Sequence, residues 1–232
     1  YLKFANKPFS YLLESVQGGE RFGRYSFIGL PSRIRYEVRD HTCREIHDDV
    51  VVAEVESEDP IGWVSELQTR TKAYYRDDLP RFLGGLVGYF GYETVHLIEE
   101  RVGGPGQKLD PIDCPDILLL HSDEVIVYDN LAGKLYFVVF ANPQEPDSYE
   151  RGQKRLAELF SALREPVPET VEVERDLEVP HEETPEEVFT ESVLRAKQYI
   201  HEGDIMQVVL SQRMSVPFQS PPLSLYRALR AL

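Results

Sequence analysis

The sequence predicts an α+β fold, in which antiparallel strands alternate with a few helices. Short runs of aromatic and β-branched residues are separated by turn-forming residues, as in consecutive antiparallel strands. Longer segments instead repeat their apolar residues every three or four positions and carry helix-start signals. The longest apolar runs, such as Val208–Leu210 and Ile117–Leu120, are far too short to span a bilayer. We therefore expect no membrane partner.

The first strands are predicted near the start of the chain. Phe9–Val16 and Arg24–Gly29 are rich in aromatic and aliphatic residues and flank a turn-like Gln-Gly-Gly-Glu insert. Apolar and charged residues then alternate over residues 33–39, which is the period of a half-buried strand. A turn at residues 39–41 leads to a partner strand, and Val50–Val55 supplies another. This pattern predicts an antiparallel meander.

The middle of the chain predicts two helices and three strands. Asp59 is a good N-cap, and Pro60 suits the first position of the helix that follows. The segment Glu145–Leu163 is helical by its apolar spacing, with one stripe made of Tyr149, Leu156, Phe160 and Leu163. Three strand-like runs lie between the two helices: Phe82–Tyr92, Ile117–Tyr128 and Lys134–Ala141.

An acidic segment divides the chain before its last elements. Residues 165–191 contain eleven acidic residues and one basic residue, which gives −10 of the total net charge of −15. We interpret this segment as a linker with a short, solvated edge strand at residues 171–179. A capping-box pattern at residues 184–187 then predicts a helix that ends near Gly203. A strand at Ile205–Arg213 and a helix after Pro221 and Pro222 follow, and we expect the chain to stop before the fold is complete.

Charge and cysteine content exclude several function classes. With 25 basic and 40 acidic residues the chain repels phosphate backbones, so nucleic-acid binding is disfavoured. Cys43 and Cys114 form neither a disulfide framework nor a zinc pattern, and no charged-then-apolar leader opens the chain. These features predict a reduced, cytoplasmic setting. His41 and His47 flank Cys43, but their alternating spacing in a predicted hairpin does not favour a metal site, and we predict none.

Two short motifs have both a structural and a functional interpretation. Gly84, Gly85 and Gly88 lack the Lys-Ser/Thr of a phosphate-binding loop, so we favour close backbone approach or a bulge within a strand. Glu14 and Ser15 interrupt an apolar strand just before a turn. They are either solvated strand-end residues or a pair that hydrogen-bonds a small zwitterion, with Glu14 near its ammonium group.

Three separated motifs stand out: Phe9–Gly29, Phe82–Glu93 and Gly203–Arg213. In sequence and in order they resemble anthranilate synthase component I, the large subunit that begins tryptophan biosynthesis. Aminodeoxychorismate synthase component I, of folate biosynthesis, shares the second and third motifs but matches the Leu-Leu-Glu-Ser block at residues 12–15 less well. The resemblance implies antiparallel sheets packed crosswise with surrounding helices.

The resemblance also implies roles for particular residues. In the family the Leu-Leu-Glu-Ser segment lines a site where tryptophan binds as a feedback inhibitor, which assigns effector binding to Ser15, Glu14 and Leu13. Gln207 stands where water-using relatives have a lysine general base. A glutamine amide can orient a nucleophile but cannot take its proton, so we expect Gln207 to orient ammonia; the alternative is a core-strand amide paired to the backbone.

The resemblance implies a reaction for the full-length protein. Chorismate and ammonia would give anthranilate and pyruvate, with Mg²⁺ as the cofactor and a glutamine amidotransferase subunit as the source of ammonia. The metal ligands are expected beyond Leu232, so the chain alone is expected to be inactive. Residues 1–143 would form an amino-terminal domain with the inhibitor site, 144–183 a helix plus acidic linker, and 184–232 the start of the chorismate-binding domain. The folate-pathway relative and a non-catalytic amino-acid-binding module remain alternatives.

Overall fold

The computed structural model describes residues 1–17, 21–70, 72–102, 112–168 and 179–231. The chain divides into two compact units, Tyr1–Pro168 and Glu169–Leu232. The first unit therefore continues past residue 143, where the sequence-based division ends the amino-terminal domain. It includes the helix that the sequence analysis assigns to the following segment.

The first unit contains most of the regular structure. Its strands and α-helices, in chain order, are β1 (Tyr11–Gln17), β2 (Arg21–Gly29), β3 (Ile34–Arg39), β4 (Thr42–His47), β5 (Val50–Glu56), α1 (Pro60–Arg70), β6 (Gly85–Phe90), β7 (Ile117–Ser122), β8 (Glu124–Asp129), β9 (Lys134–Val139) and α2 (Ser148–Arg164). Two 3₁₀ helices, Tyr92–Leu97 and Glu100–Val102, follow β6. The second unit contains β10 (His181–Glu182), α3 (Glu186–Glu202), β11 (Met214–Ser215) and α4 (Pro222–Ala231).

The strands of the first unit form two antiparallel sheets, which confirms the α+β class. The first sheet has the order β1-β2-β8-β9, and the second has the order β5-β4-β3-β7-β6. All their pairings are antiparallel. The predicted meander is correct for β3, β4 and β5, whereas β1 and β2 belong to the other sheet.

The apolar run Ile117–Tyr128 is predicted as one strand, and this prediction is wrong. The run contains β7, which pairs in the second sheet, and β8, which pairs in the first. The break falls at Asp123, whose carbonyl accepts the N–H of Phe140 at 2.9 Å. The polar residues His121–Glu124 interrupt the apolar run at this point, but a local pattern does not specify which sheet each half joins.

Helix α1 covers one face of the second sheet. Asp59 caps it as predicted, since its Oδ1 accepts the N–H of Gly62 at 2.8 Å. Val64 and Leu67 are buried against the sheet in a cluster that also contains Tyr36, Val38, Cys43, Ile117 and Leu119. Tyr36 meets the ring of Trp63 edge-on, with a centroid separation of 6.0 Å. The apolar face of this helix therefore packs on the sheet.

The first sheet is covered on both faces. Leu83 lies in a buried cluster with Val125 and Val127 on one face, and Leu159 of α2 lies with Leu30 and Ile126 on the other. The predicted stripe of α2 is only partly correct, because Tyr149 is 67% exposed and Phe160 is 53% exposed. Leu159, outside that stripe, is the buried residue. The helix is thus rotated relative to its predicted contact face.

The predicted close backbone approach is confirmed for Gly84 and Gly88, whereas a Cβ on Gly85 would meet nothing within 4 Å. A Cβ on Gly88 would lie 1.8 Å from the carbonyl oxygen of Leu118 on the neighbouring strand. Gly84 has a φ of +145°, and a Cβ there would lie 2.4 Å from the carbonyl oxygen of Ser122. Positive φ at this position favours glycine, and the strand itself begins only at Gly85.

The second unit departs from two predictions. No side chain caps the start of α3 at Pro185, so the predicted capping box is not formed. The predicted strand Ile205–Arg213 is wrong: among residues 179–231, only β10 and β11 are strands, and they pair with each other. A strand needs a hydrogen-bonded neighbour, which this apolar segment does not have in the described part of the unit. The end of α3 at Gly203 (φ +84°) and the last helix are confirmed, and the predicted edge strand of the linker falls largely outside the described residues.

Within the described ranges, none of the helices combines the length and the apolar character that crossing a bilayer requires.

An ion pair between a buried carboxylate and a half-exposed guanidinium joins the β8–β9 hairpin to β2. The Nη2 of Arg24 lies 3.0 Å from the Oδ2 of Asp129, whose side chain is almost fully buried. The Oδ1 of Asp129 accepts the N–H groups of Leu131 and Ala132, each at 3.0 Å. The hydrogen bond from Arg24 is the main cause that lowers the pKa of Asp129 from its usual value. The carboxylate thus fixes both the turn and its neighbouring strand.

The substitution Asp129→Asn is expected to lower the melting temperature of the purified protein at pH 7. Since the pKa of Asp129 is lowered in the folded state, its stabilisation is fully present above the unfolded-state value of about 3.9 and is lost as pH falls below it. The difference between wild type and variant should therefore shrink on acidification below about pH 5. Thermal unfolding followed by circular dichroism checks this.

Asp78→Asn is the matched control for this prediction. Asp78 pairs with Arg76 at 2.8 Å, but both side chains are largely exposed. An exposed pair contributes little to stability, so this variant should melt close to wild type. The stabilising role assigned to Asp129 would be contradicted if the fall in melting temperature of Asp129→Asn did not depend on pH. It would also be contradicted if Asp78→Asn lowered the melting temperature by the same amount.

Candidate functional site

The segment Leu13–Ser15 lies on β1, an edge strand of the first sheet. Leu13 pairs with Phe27 and Glu14 pairs with Ser26 on β2. The register shifts between Glu14 and Val16, so Ser15 lies at a β-bulge. Bulges redirect a side chain and often occur at functional sites. Sequence reasoning identified the polar pair but missed the bulge, which has no composition signal.

The three side chains combine different chemistry at one accessible edge. Leu13 is 45% exposed, Ser15 is exposed and Glu14 is half-buried. Leu13 and Phe27 are cross-strand partners, so they offer apolar contact on the same face of the sheet. A carboxylate accepts hydrogen bonds from an ammonium group, and a hydroxyl both donates and accepts. These groups have the chemistry to bind a small molecule with a charged amine and an apolar side chain, although Leu13 and Glu14 lie on opposite faces of the edge strand.

Gly23 of β2 lies directly against Ser15. A Cβ built on Gly23 would lie 2.2 Å from the Cβ of Ser15 and 2.5 Å from its Oγ. These separations are far below van der Waals contact, so any larger residue at 23 would displace the Ser15 side chain. Sequence reasoning did not single out Gly23, although it belongs to the first motif.

Tyr11 anchors the same strand to the second sheet. Its hydroxyl hydrogen-bonds the Oγ of Ser122, the last residue of β7, at 2.8 Å. Burial raises the pKa of Tyr11, and the hydrogen bond from Ser122 opposes this rise. The ring passes so close to Gly29 that a Cβ there would lie 1.9 Å from Cε1 of Tyr11. Strand β1 is therefore fixed two residues before Leu13.

Gln207 lies in the second unit, outside any strand. It is exposed, within an irregular segment in which Met206 is 97% exposed and Val209 is 82% exposed. Within the same segment the amide of Gln212 donates to the carbonyl of Thr184 at 2.9 Å. Gln207 and the segment Leu13–Ser15 thus belong to different units of the chain.

The described residues do not fit a magnesium site. Among them, no three His, Cys, Asp or Glu side chains form a group able to hold a metal ion. Three residues were considered as metal ligands from the sequence. His41 Nδ1 lies 2.9 Å from the carbonyl oxygen of Ser57, and His47 bonds Glu45 at 2.8 Å. Cys43 is buried. The described part of the chain therefore supports no step through a metal.

The family model described as chorismate binding enzyme matches residues 9–232. The chain belongs to this chorismate-binding family. The match begins just before β1, so it includes both the segment Leu13–Ser15 and Gln207.

Curated relatives of this chorismate-binding chain share one description. Anthranilate synthase component 1 of Pseudomonas putida is 48% identical over 99% of this chain and 48% of its own length. The protein of the same name from Neisseria meningitidis serogroup B is 45% identical over 100% of this chain and 48% of its own length. The chain spans about half the length of the curated relatives it matches.

A solved structure agrees with the fold of the chorismate-binding chain. Anthranilate synthase component I from Streptococcus pneumoniae TIGR4 superposes with a TM-score of 0.70 and 24% sequence identity. The superposition covers 95% of this chain and 47% of that chain. At this level of identity the likeness supports the fold alone.

Proposed function

We propose that the chain is part of an anthranilate synthase component I, which converts chorismate and ammonia to anthranilate and pyruvate. The observation that carries this proposal is the 45–48% identity to proteins of that name over nearly the whole chain. The Leu-Leu-Glu-Ser block supports it over the folate-pathway relative, aminodeoxychorismate synthase component I, which matches that block less well. We call the chain extended to the length of its relatives the full-length enzyme.

The proposal includes a partner, a cofactor and a compartment. Ammonia is mostly protonated at neutral pH, so delivery by a glutamine amidotransferase subunit would avoid both dilution and protonation. Mg²⁺ would act as a Lewis acid in the full-length enzyme, with ligands from outside the described residues. The enzyme would act in the cytoplasm, in keeping with the two unpaired cysteines.

The product distinguishes the candidate functions. The full-length enzyme, supplied with chorismate, an ammonium salt and Mg²⁺, is expected to release fluorescent anthranilate and pyruvate in equal amounts. Fluorescence measures the first product, and a coupled dehydrogenase assay measures the second. Aminated chorismate without pyruvate release would instead assign the folate-pathway activity. If chorismate is not consumed although tryptophan binds by calorimetry, the chain is a regulatory module.

We further propose that Leu13, Glu14 and Ser15 bind tryptophan as a feedback inhibitor. Glu14 would accept from the ammonium group, Ser15 would hydrogen-bond the polar end, and Leu13 would contact the indole. The exposed edge position of β1 and the bulge at Ser15 support this proposal, because both leave the side chains accessible. Inhibition requires that tryptophan bind one state of the enzyme more tightly than another.

Ser15→Phe is expected to remove most of the inhibition. The larger side chain collides at the contact with Gly23 and removes the hydroxyl, so the tryptophan concentration that halves the rate should rise roughly tenfold or more. Each rate is compared with the uninhibited rate of the same variant. Ser65→Phe, on the exposed side of α1, is the control and should keep normal inhibition. Normal inhibition in Ser15→Phe would exclude the site.

We propose that Gln207 orients ammonia for attack on chorismate. A neutral amide can hydrogen-bond ammonia but cannot deprotonate water, which fits an enzyme that uses ammonia in place of water.

Gln207→Lys tests the proposed selection of the nucleophile. A lysine amine can act as a general base toward water, so a measurable fraction of chorismate should become a hydroxylated product. Liquid chromatography of the products, with ammonium present and absent, measures that fraction. Gln198→Lys, on exposed α3 of the same unit, is the matched control and should give anthranilate as its aromatic product. An unchanged product ratio in a folded Gln207→Lys enzyme would contradict the role.

A further inference from the structure

The turn between β8 and β9 holds the part of β2 that faces Ser15. The Nδ2 of Asn130, in this turn, donates to the carbonyl oxygen of Gly23 at 2.9 Å. The backbone N–H of Asn130 donates to the carbonyl oxygen of Arg24 at 2.7 Å. Two consecutive carbonyls of β2 are thus held by one residue of the turn.

These two bonds lie beyond the regular pairing of the strands. The ladder between β2 and β8 runs from the pair Gly29–Val125 to the pair Tyr25–Asp129. Gly23 lies past the end of that ladder, so the Asn130 side chain supplies a bond that the sheet does not. Its removal would release Gly23 while the ladder itself remains.

Several hydrogen bonds hold the turn that carries Asn130. The buried carboxylate of Asp129 accepts two backbone N–H groups of the turn and also binds the guanidinium of Arg24. Gly133 closes the turn with a φ of +61°. Because the residues on both sides of Asn130 are fixed, a small displacement of the Gly23 carbonyl is resisted.

The position of Gly23 in turn limits the position of Ser15. The closest approach of a Cβ on Gly23 is 2.2 Å to the Cβ of Ser15, and its distance to the carbonyl oxygen of Ser15 is 2.9 Å. The backbones of the two strands are therefore close enough at the bulge that a shift of β2 at residue 23 alters the room available to Ser15. A bulge has lost regular ladder bonds and depends on such local contacts.

We propose that Asn130 is a positioning residue of the effector site: its bond to Gly23 sets the position of Ser15 and so determines the affinity for tryptophan. The inference rests on the proposed tryptophan site at Leu13–Ser15. Asn130 acts through Gly23 and touches no ligand itself.

The test measures tryptophan binding and inhibition in the full-length enzyme carrying Asn130→Ala or Asn130→Asp. Asn130→Ala removes the donor, and tryptophan affinity should fall about fivefold, the factor expected for one neutral hydrogen bond. Asn130→Asp keeps the size of the side chain but places an acceptor against the Gly23 carbonyl, so the loss should be larger. Calorimetry gives the dissociation constant for tryptophan, and steady-state kinetics give the KM for chorismate. If Asn130 positions Ser15, its substitution should change the dissociation constant for tryptophan more than the KM for chorismate.

Asn142→Ala is the matched control. Asn142 also makes hydrogen bonds within an exposed turn, accepting the N–H of Gln144 at 3.1 Å, but it lies before α2 and away from β2. Its tryptophan affinity should match that of wild type. Equal losses in Asn142→Ala and Asn130→Ala would assign the effect to general destabilisation and overturn the inference.

Ser15→Phe separates the inference from the proposal beneath it. If Ser15→Phe weakens inhibition while both Asn130 variants bind tryptophan as wild type does, the positioning role is wrong and the site stands. If none of the three variants changes inhibition, the effector site itself is wrong, and the role of Asn130 falls with it.

Discussion

A hydrogen-bonded contact between Tyr11 and Ser122 joins the two sheets of the first unit. The hydroxyl groups of these residues meet at 2.8 Å, between an edge strand of one sheet and the last residue of β7 in the other. Gly29 beneath the Tyr11 ring and Gly84 against the Ser122 carbonyl permit this approach, since a Cβ on either would lie within 2.4 Å of its neighbour. Loss of one hydroxyl would leave the other buried without its partner, which typically costs about 1–3 kcal/mol.

The same contact constrains the edge strand that carries the candidate residues. Edge strands are generally the least constrained part of a sheet. Here β1 is fixed at Tyr11, before the candidate residues, and β2 is held past them by the β8–β9 turn. Between these two supports the bulge presents Ser15 to solvent without leaving the strand free to slide. Exposure and a defined position, both of which a ligand needs, are thereby combined.

An apolar segment of the second unit has no neighbouring strand to pair with in the described structure. The segment Ile205–Arg213 has the composition of a buried strand, yet most of its residues are exposed and irregular in the described structure. Hydrogen bonds from an adjacent strand, and not composition alone, make such a segment a strand. The chain spans about half the length of the relatives it matches, and a nucleophile-orienting role for Gln207 belongs to the proposed activity of that longer protein.

The sequence by itself determined the elements whose signals are local. The cap at Asp59, the αL end of α3 at Gly203, the alternation of β3 and the close approach at Gly88 all follow from neighbouring residues, and the structure confirms each. The motif at residues 12–15 also marks the candidate site. Only the tertiary structure decided the change of sheet at Asp123, the bulge at Ser15 and the contacts of Gly23 with Ser15 and Asn130. These depend on which strands pair across long stretches of chain, and residues distant in sequence leave no periodic signal of their pairing.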